Sequence, residues 1–500
     1  MKPLILRGGR VIDPASGIDG LYDVLVIDGE IDALEPAGTI EPPPDAETLD
    51  CAGLWVVPGL IDVHVHLRDP GFPQRETIAS GLRAAAAGGF TTVAAMANTS
   101  PVDDTPEIAR YMLERAREVH ATRLIPVSAV TKGLAGRELV DFAAMAAAGA
   151  RLYSDDGIPI DDEAILVRAF REAAQIGFAI SLHEEDRALT GHGACNAGEV
   201  SKRLGVAGIP ATAETHRVRR DLAIAVGAGA PVHIAQVSTA ESIELVRAAR
   251  QRGANVTCEA TPHHFMLDDN AFARFGPNAK MAPPLRSRRD VEAIHAALAD
   301  GTIDMIATDH APHDRTSKHL DRLASLFPGL RDADQPAPLF PGLRDATVSP
   351  ADRDASRFSR DAVRFPADGE AQRLSAEQAE VLASAANGII GLETALGLAL
   401  ELVHRGIIDP SRMVTLMSLN PARLLRLDAQ CTLTPGAQAD ITVIDPNYEW
   451  TVEPAKFISM SRNTPFTGRK LKGRAAYTIL SGAIIHPGAP VPDRMILSTD

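Results

Sequence analysis

Apolar and polar positions alternate differently at the ends of the chain and in its middle. The first fifty residues read as short strands, "LILRGGRVID", "YDVLVIDGEIDAL" and "ETLDCAG", broken by Gly and Pro turns. The last seventy repeat that pattern in "ADITVIDP", "TVEPAKF" and "AAYTILSGAIIHPG". The two ends are expected to pair into one small β-sandwich module, residues 1–55 with 425–500, leaving residues 56–424 as an inserted unit. In that middle, short apolar strands alternate with amphipathic helices. The strands are "LWVVPGLIDVHVH", "TTVAAMAN", "RLIPVSAV", "RLYSDD", "FAISLHEE", "PVHIAQVS", "NVTCEATPHH" and "IDMIATDHAP", and "DDEAILVRAFREAAQIG" and "STAESIELVRAARQRG" carry a helical period. Eight such strands predict an α/β fold, a TIM-like (β/α)8 barrel, with functional residues at the C-terminal strand ends. An open doubly wound sheet competes, but no GxGxxG follows the first strand. Residues 314–386 break the rhythm and carry the octapeptide "LFPGLRDA" twice, at Leu326–Ala333 and Leu339–Ala346. Two copies are too few for a solenoid, so the segment reads as an insertion, with a lid or docking loop as its functional alternative.

Composition adds limits. With 500 residues, 45% of them apolar, the chain can bury a sizeable core without disulfides. Cys51, Cys195, Cys258 and Cys431 lie far apart and form no CxxC pair, which fits a reducing compartment and buried thiols. The N-terminus lacks the apolar core of a signal peptide, and no apolar run reaches the length of a membrane span, so a cytoplasmic location is expected. A net charge of −15 without Lys/Arg blocks disfavours nucleic acid and anionic membranes. An anionic substrate would need a local Arg.

Candidate chemistry lies at the strand ends. His64 and His66 in "DVHVH" sit two residues apart on a strand, so they share a face and can reach one ion. Other strand ends offer Asp156, His183 and Asp309. Asp155 beside Asp156 reads as a turn former. Two metal ions sharing a carboxylate would activate water, polarise a carbonyl and leave an Asp to move protons.

The stretches "DVHVHLRDPG", "MANTSP", "YSDDG", "LHEED", "TPHHF", "KMAPPLR", "DMIATDHAPH" and "GIIGLET" together resemble the amidohydrolase superfamily, and within it the type I dihydroorotases. The resemblance spans most of the predicted barrel. Hydantoinase-related enzymes usually bridge their metals with a carboxylated lysine, whereas "YSDDG" is similar to the subgroup that uses an aspartate, here Asp156. The resemblance implies one or two zinc ions per chain, with His64, His66 and Asp309 holding the first, Asp156 bridging and His183 beginning a second site. It also implies Asp309 as the general base, and Arg68, Asn98, His313 and the backbone near Gly388 as substrate contacts. The implied reaction is the reversible closure of N-carbamoyl-L-aspartate to dihydroorotate in pyrimidine synthesis. A homodimer and an association with aspartate transcarbamoylase are the implied partnerships. His263, His264, His310 and His192 read as structural.

Three positions depart from the family. Gln236 in "HIAQVS" stands where the second metal site takes a His, and an amide oxygen is a weaker zinc ligand than imidazole. His233 is three residues away, on the opposite face and about 10 Å down the strand. Ala282 replaces the Asn of "KMNPPLR"-type motifs, and Asn387 stands where an aromatic residue is usual. Three readings therefore stay open: an active dihydroorotase with a weakened or empty second metal position, a catalytically impaired structural partner of aspartate transcarbamoylase, and a related allantoinase- or hydantoinase-like cyclic amidohydrolase.

Overall fold

The computed structural model describes residues 2–326, 373–428 and 431–486. Eight parallel strands run in sequence order around a barrel: β1 (Leu60–Val65), β2 (Phe90–Ala95), β3 (Arg123–Ser128), β4 (Leu152–Tyr153), β5 (Ile180–Leu182), β6 (Val232–Ile234), β7 (Val256–Ala260) and β8 (Met305–Ile306). The last strand meets the first beyond its regular end, where the His66 N–H donates to the His310 carbonyl at 2.8 Å. Every residue of β1 and β2 is buried, as expected for parallel strands covered on both faces. Each fully buried Leu, Ile or Phe in such a core contributes about 1.5–3 kcal/mol.

The predicted helices form for local reasons as well as for packing. In Glu163–Ile176 the Asp162 carboxylate caps the first turn by accepting from the Ala164 and Ile165 N–H groups, and Gly177 ends the helix in the left-handed region. Thr239 caps Ala240–Gln251 in the same way, directly after the turn that carries Gln236.

The two chain ends do pair. Strands Leu4–Asp13, Ile18–Ile27, Glu30–Pro36, Glu47–Asp50 and Trp55–Pro58 join Ile441–Thr451, Lys470–Leu480 and Ala483–His486 in one hydrogen-bonded sheet over its own apolar core. The stretch "LWVVPGLIDVHVH" is two strands rather than one. Trp55–Pro58 pairs antiparallel with Ile441–Thr451, and the chain crosses into the barrel at Gly59. A side chain at 59 would put its Cβ 2.1 Å from the Thr91 hydroxyl, so only glycine fits the crossing. "TVEPAKF" is not a strand either. Its Pro cannot extend the ladder, and Pro454–Lys456 forms a 3-10 turn.

Helices Leu320–Leu326 and Ala376–Ser384 bracket the irregular segment, and Arg322 pairs with Glu377 at 3.3 Å across its base. Apart from Leu326, both octapeptide copies lie outside the described residues. All four cysteines are buried. Among the described residues no helix is long and apolar enough to cross a membrane.

Candidate metal centre

Side chains from three strand ends converge on one point inside the barrel mouth. From β1, His64 and His66 enter on the same face; Asp156 follows β4 and Asp309 follows β8. The His64 Nε2 lies 3.4 Å from Asp156 Oδ1 and 3.7 Å from Asp309 Oδ1. The His66 Nε2 lies 3.5 Å from Asp156 Oδ2 and 3.1 Å from Asp309 Oδ1. A tetrahedral zinc ion with bonds of about 2.0–2.1 Å has ligand-to-ligand edges of roughly 3.3–3.4 Å, and His64, His66 and Asp156 each bring a ligand atom close enough to the others to share one ion. Asp156 Oδ1 is buried without a hydrogen-bond partner, as a carboxylate oxygen reserved for a cation would be.

Two further groups set the imidazole tautomers. His64 Nδ1 donates to Glu259 Oε1 at 2.9 Å, and His66 Nδ1 donates to Asn98 Oδ1 at 2.8 Å, so both Nε2 lone pairs face the centre. The Asn98 amide in turn donates to Asp156 Oδ2 at 3.3 Å. Glu259, on β7, also accepts from His233 Nε2 at 3.0 Å, and His233 Nδ1 pairs with Thr257 at 2.9 Å. His233 thus supports the carboxylate behind His64 rather than joining the cluster. Glu259 escaped the sequence reading, although its alternation with Thr257 on a buried parallel strand was a usable signal: a carboxylate there needs a partner.

Electrostatics favour positive charge at this point. Burial would raise the Asp156 carboxyl, yet His64, His66 and His183 hold it far below the usual range. Burial also opposes the charge on His64, which Asp156 and Glu259 nevertheless push well above its ordinary value. Burial would likewise raise Glu259, but His64 and His233 bring it down to about 2. A bound cation would supply the same charge and leave the imidazoles neutral.

The second half of the cluster is built differently. His183 Nδ1 is 3.6 Å from Asp156 Oδ1 but gives its hydrogen to Gln236 Oε1 at 2.7 Å. The Gln236 amide nitrogen lies 3.5 Å from His64 Nε2. On its other side, His183 Nε2 faces Glu185 at 3.7 Å. Against burial, Glu185 and Asp156 push His183 up to about 9.

Three residues of the mouth, Arg68, Gln236 and Asp309, have left-handed backbone with φ of 59°, 51° and 47°. That conformation costs a residue with a side chain about 1 kcal/mol or more.

Arg68 is half-buried, with Nε on the Pro312 carbonyl at 3.2 Å and Nη2 on His313 Nε2 at 3.3 Å. Burial, then the charges of Arg68 and Lys318, push His313 down to about 2, so its neutral ring accepts from Arg68. Gly388 packs against Ala311 and His313: with φ of 111°, a Cβ there would meet Ala311 at 2.5 Å. Its N–H donates to the Lys280 carbonyl at 2.9 Å, and its carbonyl accepts from the Asn463 amide at 3.1 Å. Asn463 also accepts from the His313 N–H at 3.1 Å and gave no signal in the sequence. Beside the centre lies a cavity of about 540 Å³ lined by Glu185, Arg187, His192, Lys280 and Asn387 among others.

Asp155, His264 and His310 are held by hydrogen bonds away from the centre. Asp155 accepts from the Val130 and Thr131 N–H groups and tethers the turn after β3. His263 and His264 lie on the helix Pro262–Met266 rather than at the end of β7, and His264 bridges Thr261 and the Pro283 carbonyl. His310 is buried between Glu76 and the Gly391 N–H.

Comparison with known proteins gives this geometry a family. A dihydroorotase from Citrifermentans bemidjiense is 44% identical over 483 residues, which cover 97% of this chain and 99% of that one. The chain belongs to the dihydroorotase family. A dihydroorotase from Syntrophus aciditrophicus is 40% identical over 97% of this chain and 99% of its own length. Residues 53–242 match the family model described as Dihydro-orotase-like. Among solved structures, an L-hydantoinase (dihydropyrimidinase) from Arthrobacter aurescens superposes with a TM-score of 0.78 at 23% identity, covering 98% of each chain. A dihydropyrimidinase from Brevibacillus agri gives 0.72 at 21%, covering 96% of this chain and 94% of its own. These two likenesses carry the barrel fold. The dihydroorotase family lies within the metal-dependent amidohydrolases, which agrees with the donor set His64, His66 and Asp156.

Proposed function

We propose that this centre catalyses the reversible cyclisation of N-carbamoyl-L-aspartate to (S)-dihydroorotate with one zinc ion per chain, held by His64, His66, Asp156 and Asp309. The observation that carries the reading is the convergence of His64, His66 and Asp156 within reach of one ion, with Asp309 Oδ1 3.1 Å from His66 Nε2, in a chain of the dihydroorotase family. Bound there, zinc would polarise the amide carbonyl and lower the pKa of water. Asp309 is the proton carrier: it takes a proton from the attacking water and delivers it to the ring nitrogen as the C–N bond breaks, and it runs the same transfer backwards in ring closure. Arg68, fixed by His313 and the Pro312 carbonyl, offers its planar fork to the substrate carboxylate. Asn98 spends its oxygen and one hydrogen on the metal ligands and retains a second hydrogen for substrate.

A single ion is favoured over two because Gln236 occupies the space beside His183 and takes its Nδ1 hydrogen. Metal analysis of purified protein, paired with an assay of dihydroorotate hydrolysis, tests the proposal. One zinc per chain with turnover is expected; no bound zinc and no turnover at any added metal concentration would sink it and leave the structural-partner reading. Hydrolysis of allantoin or a hydantoin in preference to dihydroorotate would move the substrate to another ring. The expected cytoplasmic homodimer and its association with aspartate transcarbamoylase are tested by size-exclusion chromatography of the chain alone and mixed with that enzyme.

A further inference from the structure

Two buried lysines next to the substrate contacts have no carboxylate partner among the described residues. The Lys318 ammonium, fully buried, donates to the carbonyls of Pro277 at 2.8 Å, Lys280 at 3.3 Å and Ala386 at 2.8 Å. Burial, then the charges of Lys280 and Arg68, push Lys318 well below its ordinary value, but three carbonyl acceptors are matched only by the three hydrogens of the charged form. The Lys280 ammonium donates to the carbonyls of Ala383 and Ala385, each at 2.6 Å. Lys318 thus joins segment 277–280 to Ala386, and Lys280 rests on the backbone dipoles of 383–385. Burying a charge this way is costly, and stability alone would be as well served by apolar residues of similar size.

Their position suggests what the charge is for. The 383–386 segment leads into Asn387 and Gly388, and the Gly388 N–H bonds the Lys280 carbonyl. Lys280 and Asn387 line the cavity beside the metal centre. Lys318 lies close enough to Arg68 and His313 for its charge to bear on both. Lys318 and Arg75 act on the His313 that holds Arg68, and Lys280 acts on Lys318, in a chain whose net charge is −15. Without a carboxylate beside them, their field is not cancelled locally, and low permittivity extends its reach.

We infer that Lys280 and Lys318 are positioning residues that hold the Asn387–Gly388 turn and, through their uncancelled charge, bias the pocket toward doubly charged over singly charged substrates. The inference rests on the proposed reaction, whose open-chain partner is a dianion and whose ring is a monoanion.

Inert competitors separate charge from structure. N-acetyl-L-aspartate is a dianion shaped like the open-chain substrate, and N-acetyl-L-asparagine is its monoanionic counterpart. Inhibition constants for both would be measured on the metal-loaded full-length enzyme, the Lys280→Gln and Lys318→Met variants, and Lys280→Arg. Lys280→Gln keeps hydrogens for the Ala383 and Ala385 carbonyls but deletes the charge. The ratio of the monoanion constant to the dianion constant should fall about tenfold in Lys280→Gln and Lys318→Met, and Lys280→Arg should restore it. Equal weakening of both competitors would reduce the lysines to a purely structural role and overturn the inference, as would no change in either. Should Lys318→Met fail to fold, Lys280→Gln and Lys280→Arg carry the same comparison. A wild-type enzyme that hydrolyses dihydroorotate but shows no preference for the dianion defeats only the inference; one with no dihydroorotate turnover defeats the reaction beneath it.

Discussion

His64 and His183 approach the same Asp156 oxygen at 3.4 and 3.6 Å, yet their ring nitrogens are partnered differently. Behind His64 stands an anion, Glu259, itself held by His233, and this fixes the hydrogen on Nδ1 so that Nε2 presents a lone pair. Before His183 stands a neutral amide, Gln236, which takes the hydrogen on the side facing Asp156. Equal distance to a shared carboxylate therefore does not make equal ligands. At His64 the outward nitrogen carries the hydrogen, whereas at His183 the amide takes the hydrogen of the inward nitrogen itself.

The contrast can be broken at several points. The largest effect should come from Asp309→Asn, which leaves a neutral oxygen toward the histidines but removes the proton carrier: kcat should fall about a thousandfold, in both reaction directions. Steady-state assays at saturating zinc check this, and a loss of less than tenfold would assign the proton transfer elsewhere. Next, Glu259→Gln should weaken metal binding about 10- to 100-fold, read by competition with a chelator. Unchanged affinity would remove the anion behind His64 from the explanation. Gln236→His should raise bound metal from about one ion per chain toward two, since imidazole replaces an amide at the second position. If occupancy stayed at one while the variant folded normally, the amide would not be what keeps the second half empty. The smallest effect belongs to Ala282→Asn, where one added hydrogen bond to substrate should lower KM by about two- to tenfold without changing metal content.

The barrel was legible because its strands are short apolar runs separated by capped helices, and because His64 and His66 share a face only if "DVHVH" is a strand. The convergence of Asp156 and Asp309 on that pair followed from placing functional groups at strand ends. Less visible was anything set by contacts across the barrel. Glu259 sits 195 residues from His64, and Asn463 reaches His313 from 150 residues away. No local period encodes such pairs. Gly59 was hidden for another reason: the apolar run through Trp55–Val65 is continuous, and only the close approach of Thr91 shows that it belongs to two sheets.

The left-handed backbone at Arg68, Gln236 and Asp309 sets fold stability against chemistry. Glycine at any of the three would relax the chain by about 1 kcal/mol while deleting a side chain the site uses. A variant library sorted for heat resistance alone, with no demand for turnover, should therefore accumulate glycine at these three positions. The active centre would be eroded first at the places where its backbone is bent hardest, and the barrel would outlast its own catalysis.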